Sequence, residues 1–250
     1  GTPRQPGKDF SIRFMAGRWT PQYVFDAGSY YYNYTDPSDG VVKKVPKPFS
    51  DTGVAGNPAF ESAYRDTVSA LATWARANGV SLIHLPWYGQ DWAELHNALN
   101  IRNPDIGYSY QSWLQGHKNL IDIALEYAGP RADGTNLAVE FPMSGSGPLV
   151  GDQFPAINDL SSYIQTRAGA NSEKIFIQAN GWGPAGWGYG DWGATDATTE
   201  AAKDAAAWTK SVLRGEQAIQ GGSNYNWDTM YNMLIANEND AKYAEVSTNV

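Results

Sequence analysis

Residues 136–143 read Asn-Leu-Ala-Val-Glu-Phe-Pro-Met, and the alternation inside this stretch decides the fold class. Successive side chains of a β-strand fall on opposite faces, so Leu137, Val139 and Phe141 share one face while Ala138 and Glu140 share the other. An apolar face packs on helices. A glutamate opposite it needs a reason, because a carboxylate taken out of water is costly unless it is partnered. The same division recurs along the chain. Residues 174–180 set Ile175 and Ile177 against Phe176, Gln178 and Asn180. Residues 11–17 set Ile12 and Phe14 against Arg13 and Met15, and near the C-terminal end Ala244 and Val246 oppose Tyr243, Glu245 and Ser247. One face is apolar; the other repeatedly carries Arg, Glu, Gln and Asn.

Strands are predicted at Ser11–Gly17, Val80–Trp87, Asn136–Met143 and Lys174–Asn180, with two further ones at Gln217–Gly221 and Tyr243–Thr248. Helical patterns separate them. The first has Asn57 as N-cap, Pro58 at its first position and a stripe of Phe60, Tyr64, Val68, Leu71 and Trp74, ending at Asn78-Gly79. The second follows Ser109, turns Trp113, Leu114, His117, Leu120, Ile121, Ala124 and Ala128 inward, and stops at Gly129-Pro130. Others are predicted over Pro155–Ala168, Thr198–Arg214 and Asn226–Asn237. Strands alternating with helices make an α/β chain with a parallel sheet. A doubly wound nucleotide fold lacks its signature: Gly17-Arg18-Trp19-Thr20-Pro21 is no phosphate turn, and Ser144-Gly145-Ser146-Gly147 runs into Pro148 without a lysine. The polar face instead predicts a (β/α)8 TIM barrel, with that face lining the interior. Six strands are legible where such a barrel has eight. The expectation therefore includes an incomplete barrel lacking terminal strands, with residues 1–250 as one domain and as a fragment of a longer chain. Neither an internal repeat nor a Pro-, Gly- or Ser-rich linker divides it.

Composition removes whole classes of function. The 250 residues hold 18 Lys and Arg against 26 Asp and Glu, a net charge of −8, which leaves no basic footprint for nucleic acid or an anionic membrane surface. No run of about 18 apolar residues exists, so membrane insertion is not expected. With no cysteine there is no thiolate nucleophile, Cys-type zinc site or iron–sulfur cluster. His84, His96 and His117 lack metal-ligand spacing, so no metal is expected. A serine-hydrolase Gly-x-Ser-x-Gly elbow is missing too. What stands out is 10 Trp and 15 Tyr, side chains that stack on sugar rings while their polar tips bond to hydroxyls.

Two carboxyl groups in unlike environments, one ionised beside a cation and one neutral, are what glycosidic-bond cleavage uses. Glu140 and Glu245 on the polar face, with Arg13 as a cation on the same face, supply such a set. A structural buried Arg–Glu pair is the plain alternative. The runs Ser-Ile-Arg-Phe-Met-Ala-Gly-Arg-Trp-Thr-Pro (11–21), His-Leu-Pro-Trp-Tyr-Gly-Gln-Asp-Trp-Ala-Glu-Leu (84–95) and Val-Glu-Phe-Pro-Met-Ser-Gly-Ser-Gly-Pro (139–148), with the helix after Asn57-Pro58, resemble clan-A-type glycoside hydrolase barrels. More closely, they resemble the glycosidase-like domains of minor tail proteins from phages of actinobacteria.

The resemblance implies a retaining hydrolase with Glu140 as acid/base, Glu245 as nucleophile and Arg13 steadying the nucleophile. It implies a polysaccharide or bacterial cell-envelope glycan as substrate and no cofactor. An extracellular or virion location follows, with other phage tail proteins as partners. Val139 stands where such enzymes carry Asn, which leaves a catalytically inactive glycan-binding or structural tail component as the alternative. A second register makes Val45–Phe49 a short barrel strand and Glu94 the acid/base. Expected substrate contacts are Trp19, His84, Trp87, Tyr88, Gln178 and Asn180. The Gly-rich loop after the 174–180 strand adds Trp182, Trp187 and Trp192, and Tyr30, Tyr31, Tyr32 and Tyr34 extend the rim.

Overall fold

A computed structural model describes residues 10–36, 39–89, 101, 103–130, 134, 136–142, 153–168, 174–182, 211–217 and 241–248; for β7 beyond Ile175, and for β8 and β9 below, it describes the backbone and its register. The strands are β1 (Phe10–Arg13), β2 (Tyr31–Thr35), β3 (Val42–Pro46), β4 (Val80–His84), β5 (Gly129–Pro130), β6 (Asn136–Pro142), β7 (Ile175–Trp182), β8 (Ser211–Gln217) and β9 (Ala241–Thr248). The helices are α1 (Gln22–Asp26), α2 (Pro58–Asn78), α3 (Tyr110–Tyr127) and α4 (Gln153–Ala168).

β1, β4, β6, β7, β8 and β9 lie side by side in that order, each parallel to its neighbour. β5 joins antiparallel to β6 and brings the sheet to seven strands. When each parallel strand lies beside its predecessor, right-handed connections carry the crossover helices to one face. The packing agrees. Leu137, Val139 and Phe141 of β6 and Ile83 of β4 share a continuous core with Val68 of α2, Leu120 of α3 and Ile164 of α4. Leu82 and Ala138, one residue out of phase, are buried but stand outside that core.

The expected TIM barrel is corrected here, whole or incomplete. Closing a barrel requires the two edge strands to meet with a consistent stagger. Among the described residues β1 and β9 are the two edges of an open sheet and do not pair with each other. The chain is an open, mixed α/β sheet with a separate two-stranded sheet beside it. That second sheet also overturns the register built on Val45–Phe49: Val45 belongs to β3, which pairs antiparallel with β2 through Tyr32↔Val45 and Tyr34↔Lys43. Pro46 and Pro48 explain why, since neither has an N–H to give to a central strand's ladder. Tyr32 and Tyr34 are buried on the inner side of this hairpin, not on a substrate rim, and Tyr31 is exposed.

The helix boundaries follow local chemistry. Asn57 caps α2, accepting from the Phe60 N–H, and its side-chain amide donates to Ser29 Oγ, Tyr30 O and Lys47 O, so one residue ends a loop and starts a helix. α2 stops where Gly79 takes φ +70°, a left-handed conformation that favours glycine. Its buried stripe runs Phe60, Tyr64, Val68, Ala72, Ala75, which leaves Leu71 half-buried and Trp74 exposed. Ser109 and Ser112 form a reciprocal capping box on α3. The helix expected over Thr198–Arg214 is corrected at its end: Ser211–Gln217 is β8, paired on both sides. Of the strand expected at Gln217–Gly221, Gln217 ends β8 and residues 218–221 lie outside the described residues. Val212 and Leu213 suit a strand as well as a helix, and two flanking ladders decide between them. The helix expected at Asn226–Asn237 lies outside the described residues.

Candidate active site

β1, β4 and β6 place Arg13, His84 and Glu140 on one rung of the parallel ladder, Arg13↔His84 and His84↔Glu140. They share the sheet face opposite the helices. His84 is 3% exposed and Glu140 0%, and His84 Nδ1 is hydrogen-bonded to Glu140 Oε2. The other carboxyl oxygen, Oε1, is buried without a hydrogen-bond partner. Arg13, half-buried, stands one strand beyond His84. The group that clasps Glu140 is the neighbouring histidine.

The turn after β4 fixes this arrangement from behind. Trp87 Nε1–H donates to Pro142 O at 2.7 Å, and the indole stacks on Phe141 at 4.3 Å between ring centroids. The Leu85 N–H donates to the backbone carbonyl of Glu140 at 2.8 Å. Tyr64 O–H reaches Pro86 O at 3.2 Å, and Tyr88 O–H donates to Glu61 Oε1 at 3.2 Å. Burial, aided by the Glu61 carboxylate, pushes the Tyr88 hydroxyl well above the usual tyrosine range. Trp87 and Tyr88 are fully buried, so the structure places these two expected rim residues in the core.

His117 completes the packing. Its Nδ1–H donates to Trp113 O at 2.8 Å, while its ring lies 4.1 Å from Trp113 and 5.5 Å from both Trp87 and Tyr88. Burial pushes its pKa down to about 3, so the ring is neutral at ordinary pH.

Trp19 lies past the end of β1, 45% exposed, with the Arg18 guanidinium 4.5 Å from its ring centroid. Arg18 is held by the buried Asp36, which Lys43 also binds at 2.6 Å. Gln178 pairs with Pro142 and hence, by parity, occupies the Glu140 face. Asn180 follows on that face, and Trp182 closes β7 beyond a register shift. Glu245 stands on β9, on the rung Asn180↔Arg214↔Glu245. Asn180 is four residues beyond Phe176, the partner of Glu140, so Glu245 lies three strands across and four residues further along. In a flat sheet this is roughly 14 Å across and about 13 Å along. A retaining pair needs about 5 to 5.5 Å, a separation that this register in a flat sheet does not give. Glu94, Trp187 and Trp192 lie outside the described residues.

Sequence reasoning missed two features. His84 appeared as a substrate contact and not as the partner of Glu140, although its shared parity with Leu82 was visible. Arg214 was hidden inside an expected helix; the alternation Arg214, Glu216 against Leu213, Gly215 is the signal that finds it. Among the described residues there is no group of three or more His, Asp or Glu that could hold a metal ion, and no helix long and apolar enough to cross a membrane. No protein-family model matches the chain, and no curated protein is significantly similar to it.

Proposed function

We propose that this chain hydrolyses glycosidic bonds of a polysaccharide or bacterial cell-envelope glycan, with Glu140 as general acid/base. The observation that carries the reading is a fully buried carboxyl group with one oxygen clasped by His84 and the other unpartnered. Leaving a buried acceptor unmet costs about 1–3 kcal/mol, and more for a charged group. A fold keeps such an atom where a ligand supplies the missing partner. With Oε2 held, Oε1 is the oxygen that delivers a proton to the glycosidic oxygen as the C–O bond breaks. The same group then takes a proton from the water that completes hydrolysis.

Glu245 is the nucleophile that the resemblance supplies, a role that stands only where its carboxyl group lies within about 5 to 5.5 Å of that of Glu140 and that a separation well above about 10 Å rules out. Its carboxylate forms a bond to the anomeric carbon as the leaving group departs, and water releases it with retention. Trp19, Gln178, Asn180, Trp182, Trp187 and Trp192 are the proposed sugar contacts. Carboxylates suffice for this chemistry. An envelope glycan as substrate entails action outside the host cell or on a virion, beside other phage tail proteins.

One observation favours a second reading, a tail component that binds glycan without cleaving it. Val139, where the resembling enzymes carry Asn, is fully buried in the helix-side core and offers no polar group to a ligand. Reducing-end release from a panel of envelope glycans and plant polysaccharides separates the two. The expected result is release by wild type that falls by at least about 100-fold in Glu140→Gln and in Glu245→Gln. Binding without release moves the assignment to the second reading. Neither binding nor release overturns both.

A further inference from the structure

We infer that the groove between α1 and the outer side of α2 binds a small organic cation, an ammonium group carried on an apolar or aromatic body. The local sequence makes the groove. The buried stripe of α2 includes Phe60, Tyr64 and Val68, and beside it stand Ala59, Ala63 and Ala70. Side chains that end at Cβ cannot fill the space up to Val24 of α1, and a cleft of about 730 Å³ is left between the two helices. Small-ligand sites span roughly 300–1,000 Å³, with mostly apolar walls and a few polar groups that set the orientation of the ligand.

Those polar groups decide the class of ligand here. Asp66 is the charged side chain in the lining, and among the described residues it makes no hydrogen bond and no ion pair. The two arginines of α2 are held elsewhere. Arg65 donates to Glu126 at 3.0 and 3.1 Å, and Arg76 donates to the backbone carbonyls of Tyr127 and Pro130. α1 carries no basic residue. The groove therefore presents an anion that its own two helices leave unmatched, in a chain of net charge −8, and a cation complements it. Ser62 stands one helical turn before Asp66 and also lines the groove, so a carboxylate and a hydroxyl are both on offer to an ammonium with three N–H donors. Tyr23 lines the same groove from α1, 63% exposed, and its ring face attracts a cation while giving apolar contact to the rest of the ligand. One carboxylate and one hydroxyl are too few for a calcium ion, which takes about six to eight oxygens. Glu140 lies on the sheet face opposite the helices, so occupancy of this groove is separate from hydrolysis.

The probe is 2-phenylethylammonium, titrated at pH 7 into the 15N-labelled chain and followed by NMR, beside its neutral isostere 2-phenylethanol. Wild type should bind the cation with a dissociation constant on the order of 1 mM, with shifts concentrated in α1 and in α2 between Ala59 and Leu71. The alcohol should bind about threefold or more weakly. Asp66→Asn should remove that preference, and about 0.5 M salt should weaken the cation and not the alcohol. Tyr23→Ala should weaken the cation by about two- to fivefold. Both side chains are exposed, so neither substitution endangers the fold.

Absence of saturable shifts in α1 and α2 overturns the inference, as does equal affinity of wild type for cation and alcohol; neither result needs a variant. A preference for the cation that survives in Asp66→Asn overturns it as well. A tetralysine peptide that moves these signals where the amine does not would make the groove a protein-docking face and overturn the small-ligand assignment.

Discussion

On β6, Leu137, Val139 and Phe141 are buried as deeply as Ala138 and Glu140, yet only the first three belong to the continuous hydrophobic core. Phe141 lies against Trp87, whereas Glu140 has His84 on one oxygen and nothing on the other. Exposure does not distinguish these neighbours; their partners do. A side chain surrounded by apolar contacts holds the sheet to its helices. A buried group with an unmet polar atom is being kept at some cost in stability, which is the mark of a site.

The sharpest way to break this comparison is to cut on both faces of the same strand. Phe141→Ala should cost about 3–5 kcal/mol in urea unfolding, because it empties space that the core cannot refill. Glu140→Gln should leave the unfolding midpoint unchanged or raise it, since the wild-type side chain already leaves one buried oxygen without a partner, while any reducing-end release falls sharply. A Glu140→Gln protein as unstable as Phe141→Ala would make the His84–Glu140 pair structural.

A middle-sized effect comes from the cage behind the site. Folding depresses the His117 pKa from 6.5 to about 3, so between those values the unfolded chain binds a proton that the folded one refuses. Stability from this group is fully present above pH 6.5 and is lost as pH falls toward 3, at about 1.4 kcal/mol per unit. His117→Phe should flatten that part of the stability profile. An unchanged slope would mean that His117 does not stay neutral in its cage.

The smallest effect lies at the solvent edge of the helix layer, where Arg65 of α2 makes two hydrogen bonds to Glu126 of α3 at 3.0 and 3.1 Å. Both side chains are nearly half exposed, so a double-mutant cycle should return under about 1 kcal/mol. A larger coupling would show that helix-side stability depends on more than apolar packing.

Much of the fold was legible because its signals are local. Alternation within β6 and β7 separated the two faces. Asn57-Pro58 and Asn78-Gly79 marked both ends of α2, since caps are made by the residues that sit in them. The boundary between the Thr198–Arg214 pattern and β8 was not legible: a strand flanked on both sides draws its stability from ladders with distant segments. The site divides in the same way. Glu140 and Arg13 were picked out by residue type and parity and His84 only as a substrate contact, but which of them touch depends on which strands are neighbours.

The sequence by itself determined that this is an acidic, cysteine-free α/β chain whose strands have one apolar and one polar face, with carboxylates on the polar one. Those properties follow from composition and from the two-residue period of an extended chain. Only the tertiary structure decided that the sheet stays open, that Val45 belongs to a hairpin, and that histidine clasps Glu140. Each of these depends on strand order and register. Those are set by contacts between segments tens of residues apart, and the alternation pattern is equally consistent with several such arrangements.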